Sequence, residues 1–188
     1  MVTKFSQDPI INVIHKLMRK GINLTLENDC MASALILMLS AIDAMAYLSM
    51  PEGQEDVRAG DFIKWADQYI QFPGGEQLTG ADLYGARCAM LHNFGARSRM
   101  SRNGECRVIF WMDRGVPPIK VRADLQPGYV LVSIPALKDA LYAGMDRFLI
   151  NLYKDPTSEQ AKLADKRFET FVQETPTEEI MSIKETQA

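Results

Sequence analysis

The sequence is poor in cysteine and histidine, the residue types that most often mark a covalent or metal-dependent site. It has only two histidines and three cysteines, Cys30, Cys88 and Cys106, which are widely spaced and form no CxxC pair. This pattern argues against a disulfide framework and a zinc site, and it indicates a reducing compartment. We therefore expect a cytoplasmic protein that uses no metal and no cofactor.

The chain also lacks a large net charge and an export signal. Its formal net charge is −3, and 47% of its 188 residues are hydrophobic, an ordinary globular composition. Charged residues between Asp8 and Lys20 interrupt any signal-peptide core. The one long apolar run, Cys30 to Met50, contains Asp43. We interpret the run as a fully buried bundle helix and expect no membrane span, because a charge in the hydrocarbon costs about 2.5–3.5 kcal/mol.

Hydrophobic periodicity predicts a mainly α-helical bundle with a small antiparallel β insert. Helical spacing covers about residues 8–21, 28–49, 61–70, 79–95 and 136–153. The predicted helix start signals are Asp8-Pro9, Asn28 or Asp29, Asp61, and Thr79 with Asp82, while Gly21 and Gly95 are predicted stops. Runs of β-branched and aromatic residues predict two or three strands within about residues 105–134.

The domain organisation follows from these elements. We expect residues 1–155 to form the helical domain that contains the β insert. Residues 156–188 are expected to form an acidic C-terminal helix and then a tail that is disordered from Thr175 onward.

Basic residues are concentrated in the middle of the chain. Residues 87–122 contain eight basic and two acidic residues, a net charge of +6, whereas residues 154–188 carry −3. Arg97, Arg99 and Arg102 follow one another closely, and guanidinium groups match the geometry of phosphate. They are candidate nucleic-acid-binding residues, together with Asn93; the alternative is that they only solvate a loop.

Arg87 and His92 are the candidate chemical residues. They are separated by four residues near the end of a predicted helix, whereas His15 lies in an amphipathic helix and is expected to be structural. An imidazole can act as general acid or base at neutral pH, and an arginine can stabilise charge on a phosphate. Asp43, on the buried helix, needs a partner for its charge, and Arg87 is the obvious one.

The Arg87–His92 segment resembles the R-x(4–6)-H signature of the HEPN superfamily, the higher eukaryotes and prokaryotes nucleotide-binding domains. Ser40 and Asp43 resemble the polar-x-x-acid position of an earlier family helix, and the likeness extends over about residues 8–153. It implies a helical bundle that dimerises around two facing motifs and cleaves RNA without a metal. It also implies RNA and an antitoxin or other protein as partners.

Geometry bears on how Arg87 and His92 could work together. Residues five apart on a helix are separated by about 140° around the axis and about 7.5 Å along it. Either the helix ends before His92 and lets its ring turn back, or a second copy of the chain completes the site. Ser40 and Tyr47 share the predicted face of Asp43 and could complete the hydrogen bonds of its carboxylate.

Two alternatives to an endoribonuclease remain open. Many nuclease members of the superfamily carry a polar residue directly after the arginine, where this chain has Cys88, and some carry a lysine where it has Tyr47. These differences favour a catalytically inactive module that binds nucleic acid or a nucleotide. A helical adaptor that binds other proteins is the third interpretation.

Overall fold

The computed structural model describes residues 10–113, 118–122 and 129–172, and these are mainly helical with one small sheet. The predicted start at Asp8-Pro9 and the predicted disordered tail lie outside these residues. The described helices are a π-helical segment Ile10–Arg19, α1 Lys20–Glu27, α2 Met31–Ser49, α3 Ala59–Tyr69, α4 Gly80–Asn93, α5 Arg99–Arg102, α6 Ile134–Leu152 and α7 Glu159–Phe168. The strands are β1 Val108–Met112, β2 Ile119–Val121 and β3 Tyr129–Ser133.

Helix α2 lies at the centre of the bundle. It contacts α1, α3, α4, α6 and α7, and its buried residues cover about half of its circumference. The expectation of full burial was wrong, because Ser33, Leu37 and Ser40 are exposed on the opposite side, where no other helix of the described residues covers them. By length and composition α2 could also cross a membrane, since its mean hydropathy reaches 1.8 over 18 residues, half of which are buried in the bundle. Its packing agrees with the interpretation as a bundle helix.

The prediction for the end of the first helix was wrong. Gly21 does not stop the helix, which continues through α1 to Glu27 and packs on α2. Asn28 and Asp29 then end it instead of capping α2, because Asp29 adopts a left-handed backbone with φ of 56°. Short polar residues tolerate this conformation, so the same residues suit either a helix end or a helix start.

The start of α3 also differs from the prediction. Asp61 does not precede the helix but lies in its first turn, where its carboxylate accepts a hydrogen bond from the backbone N–H of Arg58 at 2.8 Å. In contrast, the predicted start of α4 is confirmed. Thr79 and Asp82 form reciprocal hydrogen bonds between side chain and backbone, of 3.1 and 2.9 Å.

The β insert is a mixed sheet, so the prediction of an antiparallel one was wrong. Its strand order is β1-β3-β2, with β1 parallel and β2 antiparallel to β3. Alternation of residue types identifies strands but not the order in which they pair. The chain reverses direction twice between β1 and β3, so β3 runs parallel to β1. The inner face of the sheet buries Ile109, Ile119, Val130 and Val132 in the same core as the helices.

Helix α7 packs against α2 and extends the core. Ala164 and Phe168 are fully buried in the same hydrophobic cluster as the helices before it. Arg167, which is also buried, donates hydrogen bonds to the carbonyl groups of Met50 and Pro51 at the end of the α2 region. The acidic C-terminal segment therefore includes a helix that belongs to the packed structure.

Two helical glycines provide a matched test of how closely the helices pack. A Cβ atom at Gly144 would lie 2.6 Å from the backbone oxygen of Tyr69, whereas a Cβ atom at Gly60 meets nothing within 4 Å. We expect Gly144→Ala to lower the free energy of unfolding by about 1–3 kcal/mol, because α6 must move away from α3. Gly60→Ala is expected to raise it by up to about 1 kcal/mol through helix propensity. Urea unfolding measures both; a stabilised Gly144→Ala variant would contradict the close approach.

Candidate nucleic-acid site

Asp43 and Arg87 form the ion pair that the sequence predicted. The Nε atom of Arg87, on α4, donates to Oδ2 of Asp43, on α2, at 2.7 Å. The two side chains are 25% and 24% exposed, so they remain accessible to a ligand. The Nη groups of Arg87 donate no hydrogen bond to an oxygen in the described part of the chain. The contact therefore orients the guanidinium, which also hydrogen-bonds to the Cys88 side chain, and its other donors remain for an anion.

Tyr84 and Cys88 complete the surroundings of Arg87 on the same helix. The guanidinium carbon lies 5.7 Å from the centre of the Tyr84 ring. Burial alone would lower the pKa of Arg87, but the hydrogen bond and charge of Asp43 outweigh it and raise the pKa. The pKa of Tyr84 is raised by burial and by the neighbouring Cys88 thiol. Arg87 thus stays a cation, and Tyr84 stays a neutral hydroxyl donor.

Ser40 and Tyr47 do not complete the hydrogen bonds of Asp43. Ser40 is exposed on α2. The Tyr47 hydroxyl instead contacts the Thr170 hydroxyl at 3.3 Å, and its ring packs against Phe171 and lies 5.5 Å from the guanidinium of Arg167. Tyr47 therefore attaches the α7 region to α2.

His92 and Asn93 are exposed in the last turn of α4. The helix does not end before His92, so the alternative in which the ring turns back towards Arg87 is not observed. The helix ends one residue earlier than predicted, at Phe94, whose backbone is left-handed with φ of 50°. The N–H of Phe94 bonds to the carbonyl of Met90 at 3.0 Å, the single bond of an αL C-cap, and the N–H of Gly95 bonds to the carbonyl of Ala89 at 3.1 Å.

A short helix, α5, lies where the sequence predicted a loop; Arg99 and Arg102 are its first and last residues, and Arg97 precedes its cap. Ser98 caps α5 by accepting from the N–H of Ser101 at 3.2 Å. Arg99 is exposed, Arg97 donates to the Tyr129 hydroxyl, and Arg102 donates to the carbonyl of Arg97 at 3.4 Å. Arg97 and Arg102 line an open cavity of about 670 Å³, so the structure brings these two together.

Asp82 and Arg107 were not recognised as partners from the sequence. One oxygen of the Asp82 carboxylate accepts from Nε and Nη2 of Arg107 at 3.0 and 2.6 Å, and the other from the Arg107 backbone N–H at 2.8 Å. Asp82 is 2% exposed. Burial would raise its pKa, but Arg107 and the Thr79 backbone N–H outweigh burial and lower it. This contact joins the start of α4 to β1 beneath the cavity.

Among the described residues, no group of three or more histidine, cysteine or acidic side chains could hold a metal ion. Comparisons with protein-family models, with curated proteins and with solved structures find no match to the chain.

The buried carboxylate of Asp82 gives a pH-dependent prediction. Asp82→Asn should lower the free energy of unfolding by about 2 kcal/mol at pH 7, because Arg107 loses its charged acceptor. The folded pKa lies below the usual 3.8, so the unfolded chain takes up the proton first as the pH falls. The wild-type advantage should therefore shrink below about pH 4.

Urea titrations at pH 7, 4 and 3 measure this difference. The matched control is Asp139→Asn, since the side chain of Asp139 is 72% exposed, and its effect should stay within about 0.5 kcal/mol. A difference between wild type and Asp82→Asn that is constant across this pH range would contradict the assignment.

Proposed function

We propose that the chain is a metal-independent endoribonuclease of the HEPN type, active as a homodimer. The observation that carries this proposal is the arrangement on α4. Arg87 is oriented by Asp43 with its outer donors accessible, and His92 is exposed one and a half turns further along the same helix. Arg87 supplies a cation for a phosphate, and His92 supplies a group for proton transfer. RNA cleavage through the 2′-OH requires both components.

The proposed reaction uses one His92 from each copy. One imidazole accepts the proton of the 2′-OH, and the 2′ oxygen attacks the adjacent phosphorus. The bond from phosphorus to the 5′ oxygen breaks, and the second imidazole donates a proton to that leaving oxygen. Arg87 stabilises the additional negative charge on the phosphate oxygens. The products are a 2′,3′-cyclic phosphate and a 5′-OH.

Exposed apolar residues beside His92 support dimerisation at this end of α4. Leu91 and Phe94 are 37% and 67% exposed, and they flank His92 in the sequence. Phe94 also adopts a left-handed backbone, which costs a non-glycine residue about 1 kcal/mol. A bulky ring kept at a strained and exposed position is typical of an interaction site. A second copy related by a two-fold axis would cover these residues and bring two motifs together.

Binding of nucleic acid without cleavage is the second candidate function. It is favoured by the cavity beside α5, which Arg97 and Arg102 line without forming an ion pair in the described residues. Phosphate contacts from these residues do not require His92. Salt-sensitive RNA binding by a wild-type protein that releases no cyclic phosphate would select this function. An adaptor that binds only proteins would show neither property.

The chemical roles predict how two substitutions affect cleavage. His92→Ala should slow cleavage at least about 100-fold, because it removes both proton-transfer groups of the dimer. Arg87→Lys should slow it by about 100-fold or more, because lysine lacks the guanidinium fork. His15→Ala, which changes the other histidine, should leave the rate unchanged. The assay detects 2′,3′-cyclic phosphate ends on single-stranded RNA in the presence of EDTA.

Two results would count against the mechanism. Cleavage that survives in His92→Ala would exclude His92 as the proton carrier. Cleavage that stops in EDTA would show that a metal ion is required. Circular dichroism and gel filtration of each variant verify that the fold is retained.

A separate substitution tests the proposed dimer face. Phe94→Gly removes the exposed ring but keeps a residue that favours the left-handed backbone, so α4 should still end at the same place. Light scattering should give twice the 21.2 kDa chain mass for wild type and about the chain mass for Phe94→Gly. Ile150→Ala, at a 70% exposed apolar residue of α6, should remain dimeric. A monomeric wild type at micromolar concentration would refute the dimer.

A further inference from the structure

The outer face of the sheet carries a pair of packed aromatic rings, one exposed and one half-buried. Phe110 on β1 and Tyr129 on β3 have ring centroids 4.9 Å apart with 32° between their planes, and Phe110 is 43% exposed. Leu131 pairs with both Phe110 and Lys120, so these residues share this face. Val130, between Tyr129 and Leu131, is buried on the other face. The sheet thus has one core face and one accessible aromatic face.

Tyr129 connects this aromatic face to the basic cavity. Its hydroxyl accepts a hydrogen bond from Arg97, whose guanidinium carbon lies 5.7 Å from the ring centre. Tyr129, Arg97, Ser101, Arg102 and Arg107 all line the same cavity of about 670 Å³. The aromatic rings and the basic groups therefore form one continuous surface.

The charges of this surface favour an anion. Asp82 and Glu105 are the acidic residues of the cavity lining, and Asp82 is neutralised by its ion pair with Arg107. Arg97 and Arg102 form no ion pair in the described part of the chain, and their described hydrogen-bond partners are the uncharged Tyr129 hydroxyl and the backbone carbonyl of Arg97. The cavity thus presents two cations that a phosphate could pair with, against the single carboxylate of Glu105.

We propose that this surface, the sheet platform formed by Phe110, Tyr129, Arg97, Arg102 and Lys120, binds single-stranded nucleic acid. A base stacks on Phe110, and the adjoining phosphates lie against Arg97 and Arg102. Stacking on an aromatic side chain contributes about 1–3 kcal/mol per base and tolerates any base, because each has a π-face. A duplex keeps its base faces stacked inside, so it cannot use the platform.

The platform also lies close to the residues proposed for cleavage. Arg97 follows His92 by five residues, so their Cα atoms are at most about 18 Å apart. A single strand bound across Phe110 could therefore continue towards the end of α4. The choice of RNA as the bound strand, but not the platform itself, rests on the proposed function. Charge complementarity argues against an apolar protein partner, because burying Arg97 and Arg102 without a carboxylate partner would carry a desolvation cost.

Fluorescence anisotropy with a labelled single-stranded RNA of about ten nucleotides tests the proposal, in the His92→Ala background so that the strand stays intact. Phe110→Ala should weaken binding about 5- to 100-fold. Phe110→Tyr should restore it, because a ring remains, while Phe110→Leu should not, because only apolar bulk remains. Ile150→Ala is the matched exposed control and should bind as the parent does.

Salt titrations separate stacking from charge. Arg102→Gln should reduce the slope of log affinity against log salt by about 0.7, the value for one phosphate contact on a single strand. Phe110→Ala should weaken binding without changing this slope, because the substitution removes no charge. A labelled DNA strand of the same sequence shows whether the 2′-OH is read, and a matched RNA duplex should bind more weakly than the single strand.

Three outcomes would overturn the platform. The first is equal affinity for duplex and single strand, and the second is full recovery of binding by Phe110→Leu. The third is a change from dimer to monomer in Phe110→Ala, which would assign the face to a second copy. The platform and the cleavage proposal can fail separately. Cleavage with unchanged binding and KM in Phe110→Ala would refute only the platform. Phe110-dependent binding by a wild type that does not cleave would refute only the nuclease.

Discussion

The carboxylate of Asp82 is the contact on which both proposed sites depend. It accepts the Thr79 N–H that begins α4, and it accepts three hydrogen bonds from Arg107 at the approach to β1. A buried carboxylate is stable only if its charge is compensated, so the four donors must be present together. The helix that carries Arg87 and His92 and the sheet that carries Phe110 are thereby fixed to each other. Few other polar contacts in the described residues join the bundle to the sheet.

Helix α4 combines a strong start with a strained end. Its first turn has a complete capping box, whereas its last residue precedes Phe94 in a left-handed conformation that glycine would adopt at lower cost. Between them, the Asp43 contact orients Arg87 against the central helix. The capped start of α4 lies in the core, and its exposed, strained end carries the residues that we propose to contact a second copy and RNA.

Features set by local rules or by composition could be predicted from the sequence. The capping box of α4 and the central position of α2 are of this kind, and Asp43 had few possible partners besides Arg87. Asn28 and Asp29 were misassigned because the same residue types start and end helices, and only packing decides. The parallel pairing of β1 with β3 could not be predicted, because hydrophobic periodicity carries no information about strand order. The Arg97–Tyr129 contact could not be predicted either, because it joins residues 32 apart in the chain and depends on that order.

The central claim is that one cleavage site uses His92 from both copies of the chain. Mixing wild-type subunits with His92→Ala subunits tests this claim most directly. Equal amounts of wild type and His92→Ala are allowed to exchange subunits, and cyclic-phosphate formation is compared with the same total amount of wild type. If each site needs two imidazoles, only wild-type pairs cleave, and about one quarter of the activity should remain. About one half would remain if each subunit acted alone, and that result would contradict the account.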